Sequence, residues 1–225
     1  MTVFSDPKLV ENYASRTQKI VPGFFDLHRM AIVLLDECVS DDAHILVLGA
    51  GGGLELKTFC EERPGWTFEG VDPSAEMLDL AREQLGPVAS RVDFRVGYIH
   101  DVPQMSFDGA TCFLTLHFLS ERERRKTLQE VFLRLKPGAP FVLAHYSFPD
   151  QCTDQEKWLS RNAQFANRSM LPDEQIQKGV SEMRKRLPIL SVREDEALLR
   201  AVGFENIEMF YAGFSLKGWV AYKPL

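Results

Sequence analysis

The sequence predicts an α/β fold: a seven-stranded, mostly parallel sheet with helices on both faces, a C-terminal antiparallel hairpin, and a helical insertion ahead of it. Three observations predict it. Apolar runs of strand length alternate with helical patterns from about residue 45 to residue 145, and a parallel strand buried on both faces reads as such a run. The first run, Ile45-Leu46-Val47-Leu48, empties into Gly49-Ala50-Gly51-Gly52-Gly53 just before a helix begins at Leu54. The last two strands are linked only by Ala212-Gly213, which permits a hairpin but no parallel crossover.

The elements follow in order. Asp6-Pro7 opens a helical segment through about Arg16, with proline suited to a first turn. A second helix follows Val21-Pro22-Gly23, carries Phe25, Leu27, Ile32, Leu34 and Leu35, and breaks at Ser40-Asp41-Asp42. After the glycine loop come a strand at 66–71, a helix at 74–84, and strands at 92–96 and 109–114. A helix at 120–135 stops at Lys136-Pro137-Gly138, and a strand covers 141–145. Residues 150–190 then read as two polar helices with no strand between them. A helix at 193–201 ends on the cap signal Val202-Gly203-Phe204, and strands at 206–211 and 214–222 close the chain. The whole, residues 1–225, is expected to be one domain.

Composition narrows the function classes. Hydrophobic residues make up 45% of the 225 residues, too many for a disordered chain. Lys plus Arg total 26 against 32 Asp plus Glu, a formal net charge of −6, which argues against a general nucleic-acid-binding surface. No apolar run approaches the roughly 18 residues of a membrane span, and Met1 to Pro7 lack the basic-then-apolar order of a signal peptide. Cys38, Cys60, Cys112 and Cys152 form no C-x-x-C pair, so reduced thiols in a cytoplasmic protein are expected, and no metal site.

The glycine loop and a later acid carry the strongest chemical signal. Gly49, Gly51 and Gly53 let the backbone turn sharply and approach a ligand. Asp72 ends the next strand, where a carboxylate can accept both hydroxyl protons of a ribose, and Pro73-Ser74 opens the following helix with Met77 in its first turns. The dinucleotide fingerprint would need glycine at position 54, where Leu54 stands. The loop instead has G-x-G-x-G spacing.

The runs ILVLGAGGG, VDPSAEML and RLKPGAPFVL resemble the class I S-adenosyl-L-methionine (AdoMet) methyltransferases, whose fold is Rossmann-like. The resemblance implies AdoMet as cofactor, with Gly49 to Gly53 facing its methionine part and Asp72 holding its ribose. Tyr98 and Ile99 would flank the adenine, and Leu114 to Phe118 would lie beside the sulfonium and the acceptor. Two positions depart from that family. Val47 stands where an acid usually precedes the first glycine by two positions, and Gly97-Tyr98 replaces Gly-Asp after the third strand. Glu55 is a partial replacement for the first missing acid.

A closer likeness, to the carboxy-S-adenosylmethionine synthases, rests on Val21-Pro22-Gly23-Phe24, on FLTLHFLSERERRKTL at 113–128 and on AVGFENIEMFYAGFSLKGWVAYK. Those enzymes bind the added carboxylate through an arginine in the insertion. Ungapped counting from Val202-Gly203-Phe204 puts Val180 there, with Arg184, Lys185 and Arg186 a turn or more beyond. An asparagine of the fourth strand becomes Phe113, and a tyrosine after Val-Pro-Gly becomes Phe24. An apolar side chain makes no bidentate pair with a carboxylate, so ordinary methyl transfer is the leading expectation. Carboxyl transfer to AdoMet is the enzyme alternative, and an AdoMet-binding protein without catalysis is the alternative from another class.

His117, His145 and Tyr146 follow the fourth and fifth strands, whose ends face the ligand crevice in this fold. They are the catalytic candidates, histidine as a general base. Packed histidines, with His117 capping the next helix, are the competing expectation. Trp158, Arg161, Phe165 and Arg168 in the insertion are either a lid or its own packing. Glu121 to Lys126 read as a solvated helix face. A small-molecule substrate is expected, and a homodimer is left open.

Overall fold

The computed structural model describes residues 13–167 and 172–225. The expected helix start at Asp6-Pro7 and the side chain of Arg168 lie outside the described residues. The chain runs through α1 (Tyr13–Ile20), α2 (Phe24–Asp36), β1 (His44–Leu48), α3 (Leu54–Glu62), β2 (Thr67–Asp72), α4 (Ala75–Leu85) and β3 (Val92–Val96). It continues through β4 (Gly109–Phe113), α5 (Glu121–Arg134), β5 (Pro140–Tyr146), α6 (Gln155–Ala166), α7 (Asp173–Arg186), α8 (Val192–Val202), β6 (Glu205–Gly213) and β7 (Leu216–Tyr222).

Seven strands form one sheet in the order β3-β2-β1-β4-β5-β7-β6. The first five are parallel, and β7 pairs antiparallel with both β5 and β6. The reversal of strand order at β1 and β4 opens a crevice at the carboxyl ends of the strands, where ligands bind in such sheets. The sheet is apolar on both faces because its strand residues alternate between two cores. Ile45 and Val47 of β1 join Phe24, Phe59, Phe68, Val142 and Val220 on one face. Leu46 and Leu48 join Phe141, Leu143 and Trp219 on the other.

The helices obey the same rule. On α2 the buried residues Phe24, Leu27, His28, Ala31, Ile32 and Leu35 fall at helical spacing on one side. α4, α5 and α8 begin at Ser74, Ser120 and Ser191, each accepting a backbone N–H of the first turn. The last two add a returning glutamate, Glu123 and Glu194.

The hairpin differs from expectation in its turn. β6 continues through Gly213, which pairs with Leu216, so Phe214 and Ser215 make the turn and not Ala212-Gly213. A Cβ on Gly213 would lie 2.4 Å from the Tyr211 hydroxyl and 3.1 Å from Pro22. Glycine is needed there for close approach inside the ladder, while Phe214 takes the positive φ of 53°. Between β5 and α8 lie the two helices α6 and α7 that the sequence predicts, packed on each other and, through α6, on α1.

Candidate active site

The glycine loop joins β1 to α3 and its path is fixed by neighbours on β2 and α4. The Gly49 and Ala50 N–H groups both donate to the Val71 carbonyl, and the Gly52 N–H donates to that of Met77. The Gly51 N–H donates to Asp72 Oδ2 at 3.0 Å, and the Ser74 N–H to Asp72 Oδ1 at 2.9 Å. A Cβ on Gly51 would sit 2.7 Å from that same carboxylate oxygen and 2.8 Å from Met77 Cβ, so only glycine brings the loop onto the acid. Gly53 has φ of 67°, and a Cβ on it would lie 2.8 Å from the Ala81 backbone. It therefore provides the close helix contact that a dinucleotide fold assigns to a later glycine.

Asp72 is at once a turn residue and a candidate ligand group. Burial pushes its carboxyl upward, while the Ser74 and Gly51 N–H groups pull it back. Each oxygen accepts one backbone N–H and keeps acceptor capacity for further donors. Met77 is buried beneath the loop, and Pro73 is exposed beside it.

At the next strand end Tyr98 is 53% exposed and stacks on His100, with ring centroids 5.7 Å apart and 8° between planes. Ile99 is buried. The Tyr98 N–H donates to Asp101 Oδ2 at 2.8 Å, and a Cβ on Gly97 would lie 2.5 Å from that oxygen. Asp101 thus sets a carboxylate at the Gly97-Tyr98 corner, although the acid is three residues later than the family pattern has it.

Across the switch point a cavity is lined by Tyr13, Phe24, His28, Gly51, Glu55, Phe113 and Leu114, among others. Leu114 has a φ of 54°, an uncommon conformation for a leucine, and its N–H donates to the Ala144 carbonyl at 2.7 Å. Tyr13 covers the loop, since a Cβ on Gly52 would lie 2.4 Å from its ring. Burial pushes the Tyr13 hydroxyl up to about 12, with Glu55 adding to the effect. His28 stacks on Phe113 at 5.7 Å and meets Phe24 edge-on at 4.5 Å. Burial lowers it to about 3, so it is a neutral imidazole.

Of the three catalytic candidates His117 and Tyr146 meet ring to ring, His145 turns to the other face of the sheet, and all three enter the packing. His117 is buried, with its ring 5.0 Å from that of Tyr146. Burial, with His145 and Arg124 nearby, holds it far below the ordinary histidine range. Tyr146 is nearly buried and 3.5 Å from Asn162 Nδ2 of α6, and burial raises its hydroxyl. His145 points to the opposite face of the sheet, beside Trp219, with Nε2 3.2 Å from Asp195 Oδ1 of α8. Arg124 of α5 pairs with the same carboxylate. Burial opposes ionisation of Asp195, yet His145 and Arg124 hold its carboxyl below the usual range. Of the three, Tyr146 lies in the core cluster that also holds Phe24 and Phe113 of the cavity wall.

Val180 is buried in that cluster too, with Ile176 and Leu159. Arg184, Lys185 and Arg186 occupy the last turn of α7 and are exposed. Trp158 of the insertion lies under the Arg161 guanidinium at 4.6 Å, and Phe165 packs on Phe214 of the hairpin. Glu121, Arg122 and Glu123 are exposed, but Arg124 in the middle of that run is fully buried.

The strand order, the hairpin and the Asp72-bound glycine loop coincide with a match to a methyltransferase-domain family model over residues 45–138. The chain has the Rossmann-like fold of the class I methyltransferases. The carboxy-S-adenosyl-L-methionine synthase of Actinobacillus succinogenes is 23% identical to it, over 97% of this chain and 92% of that one. The Salmonella arizonae synthase is 25% identical over 97% and 90%. Among solved structures, human N-acetylserotonin methyltransferase in complex with SAM superposes with a TM-score of 0.59 at 17% identity, over 99% of this chain and 61% of that one. An O-methyltransferase family protein from Burkholderia thailandensis gives 0.63 at 14%, over 96% and 62%. The match therefore spans about three fifths of those solved chains and nearly the full length of the curated relatives.

Tyr13, His28 and Asp101 are candidate site residues that the sequence reading missed. His28 is one turn after Phe24 on the apolar side of α2, a place where helical spacing alone signals burial. Tyr13 and Asp101 stand in no motif, and only the packing of α1 and the turn after Gly97 bring them to the site.

Proposed function

We propose that this protein is an AdoMet-dependent methyltransferase acting on a small-molecule acceptor. The observation that carries the reading is the Asp72 carboxylate, tied by one oxygen to Gly51 and by the other to Ser74 at the strand ends. A fixed, partly desolvated carboxylate there suits the two hydroxyls of an adenosine ribose. Gly51, which no side chain could replace, leaves the loop open for the amino-acid part of the same ligand. The residues present fit AdoMet: Asp72 for the ribose, Tyr98 and Ile99 beside the base, Leu114, Phe113 and Phe24 as apolar walls at the sulfonium end.

AdoMet supplies an already activated methyl group. What the chain contributes is alignment, and alignment alone removes a large part of such a barrier. The imidazole of His28 stays neutral in the wall and is too weak a base to take a proton from an acceptor at neutral pH, so its part is shape and hydrogen bonding. No further site residue is required for transfer to a nucleophile that is already deprotonated. An acidic chain of this kind fits a small acceptor better than a polyanion. Among the described residues no helix is long and apolar enough to cross a membrane; the cytoplasmic location we propose rests on the four free cysteines.

Calorimetry with S-adenosylhomocysteine tests the reading. Asp72→Ala removes two hydrogen bonds to a charged acceptor, each worth about 1.5–3 kcal/mol. Affinity should fall by about 100-fold or more, and an unchanged affinity overturns the assignment.

Carboxyl transfer to AdoMet is the second reading, favoured by the names of relatives that match almost the whole chain. Against it stands Val180, buried among apolar side chains at the position expected for the carboxylate-binding arginine. Arg184, Lys185 and Arg186 point into solvent from the end of α7. With valine at position 180, an added anion beside the sulfonium would lack that arginine pair, and an anion buried unpaired costs several kcal/mol. Mass spectrometry of ligand extracted from the purified protein separates the two: AdoMet or S-adenosylhomocysteine supports methyl transfer, carboxy-S-adenosylmethionine overturns it.

A further inference from the structure

Glu55 is a buried acid in the second position of α3, and among the described residues no cation acts on it. Its residue exposure is 8%, and it lines the cavity next to the glycine loop. The Thr111 hydroxyl donates to Glu55 Oε1 at 2.6 Å. Thr111 is the register partner of Val47 across the β1–β4 pair, and both side chains project to the same face of the sheet as Phe113. The Glu55 carboxyl therefore lies over the strand pair at the level where an acid at position 47 would project. We infer that Glu55, oriented by Thr111, receives the α-ammonium of the bound ligand in place of the strand-end acid that this chain lacks. The inference rests on the AdoMet reading and adds a specificity residue to it.

The surroundings say why a cationic ligand group is the fitting partner. Among the described residues the titratable groups facing Glu55 are Tyr13 from α1, His28 from α2, and Cys112 with the Thr111 hydroxyl from β4, and Asp72 in turn acts on Tyr13. None brings a positive charge at neutral pH: burial keeps His28 neutral, and Tyr13 and Cys112 are raised. Burial alone, against the Thr111 hydrogen bond, pushes Glu55 up to about 8. At pH 7 the Glu55 carboxyl of the ligand-free protein is thus mostly protonated. When an ammonium docks against it, the opposite charge favours the carboxylate, and the carboxyl proton passes to the buffer. Binding of an amino-acid-bearing adenosine should release close to one proton per site at neutral pH.

Titration calorimetry of the intact protein with S-adenosylhomocysteine at pH 7, in buffers of different ionisation enthalpy, reads this proton directly. The expected result is release approaching about one proton in the wild type and none in Glu55→Gln. Glu55→Gln should bind S-adenosylhomocysteine at least tenfold more weakly. It should bind 5′-methylthioadenosine, which has the adenosine but no ammonium, as the wild type does. Tight wild-type binding without proton release, or equal affinities of wild type and Glu55→Gln, overturns the inference and leaves the cofactor reading standing. Absence of wild-type binding overturns both. Weakened binding of both ligands by Glu55→Gln would make Glu55 a structural support of the loop and also overturns it.

Discussion

On the side of β1, β2 and β3 the cleft is made of backbone N–H groups and carboxylates; on the side of β4, β5 and the insertion it is made of packed rings. The first side holds Asp72, Asp101 and Glu55 within a turn or loop of the glycines. The second holds Phe24, His28, Phe113, His117 and Tyr146, with Val180 and Asn162 behind them. The polar side serves a ligand whose hydrogen-bonding groups are fixed, so its residues are held to short-range motifs. The aromatic side has only to present a shape, and many sequences can fill a shape. Chemistry is therefore specified by position on one side and by packing on the other.

The largest expected effect tests whether His145 belongs to the fold and not to the cleft. Asp195→Asn leaves the buried Arg124 without its counter-charge, and breaking such a pair costs about 3–5 kcal/mol. For a chain of this size the melting temperature should fall by roughly 10 °C. Affinity for S-adenosylhomocysteine should stay within about twofold. A variant that melts normally but loses turnover would move His145 and Asp195 into the catalytic machinery. The same site has a pH signature. The depressed Asp195 carboxyl contributes stability that is full above the ordinary carboxylate range and is lost as pH falls through its lowered value.

Two groups in the cavity should titrate in opposite directions. His28 is lowered from 6.5 to about 3, so stability is full above pH 6.5 and falls as pH drops toward 3. Its share approaches about 1.4 kcal/mol per pH unit at most, and His28→Phe should flatten that arm of a melting curve against pH. Glu55 is raised from 4.5 to about 8, so its contribution declines as pH rises from 4.5 and is gone above 8. Glu55→Gln should then melt at least about 2 °C above the wild type at pH 8.5. A parallel pH profile for wild type and both variants would remove the distinction between a carboxylate side and a ring side.

The smallest effect concerns α6 and α7, which interrupt the strand–helix rhythm between β5 and α8. As a lid they should exchange backbone hydrogen a few-fold more slowly once S-adenosylhomocysteine is added. Equal protection with and without ligand would make the two helices fixed packing, as the Trp158–Arg161 and Phe165–Phe214 contacts also allow.

The sequence by itself determined the sheet, the glycine loop and Asp72, because each is a local pattern. Continuous apolar runs make doubly buried strands, and the loop must be glycine where Asp72 and Met77 crowd Gly51. It also marked Val47 and Val180 as departures from a pattern and Glu55 as a partial replacement, without saying where they sit. Only the tertiary structure decided that. Register put Thr111 opposite Val47, and so put the Glu55 carboxyl over the missing acid's place. The twofold alternation of β5 sent Tyr146 toward the cavity core and His145 to the far face, onto Asp195 of a helix fifty residues away in the chain. The turn of the hairpin moved two residues, from Ala212-Gly213 to Phe214-Ser215, with Gly213 held in the ladder where Tyr211 and Pro22 crowd it. Such outcomes depend on which surfaces meet across the sheet, and burial energies between distant segments leave no periodic trace in the segments themselves.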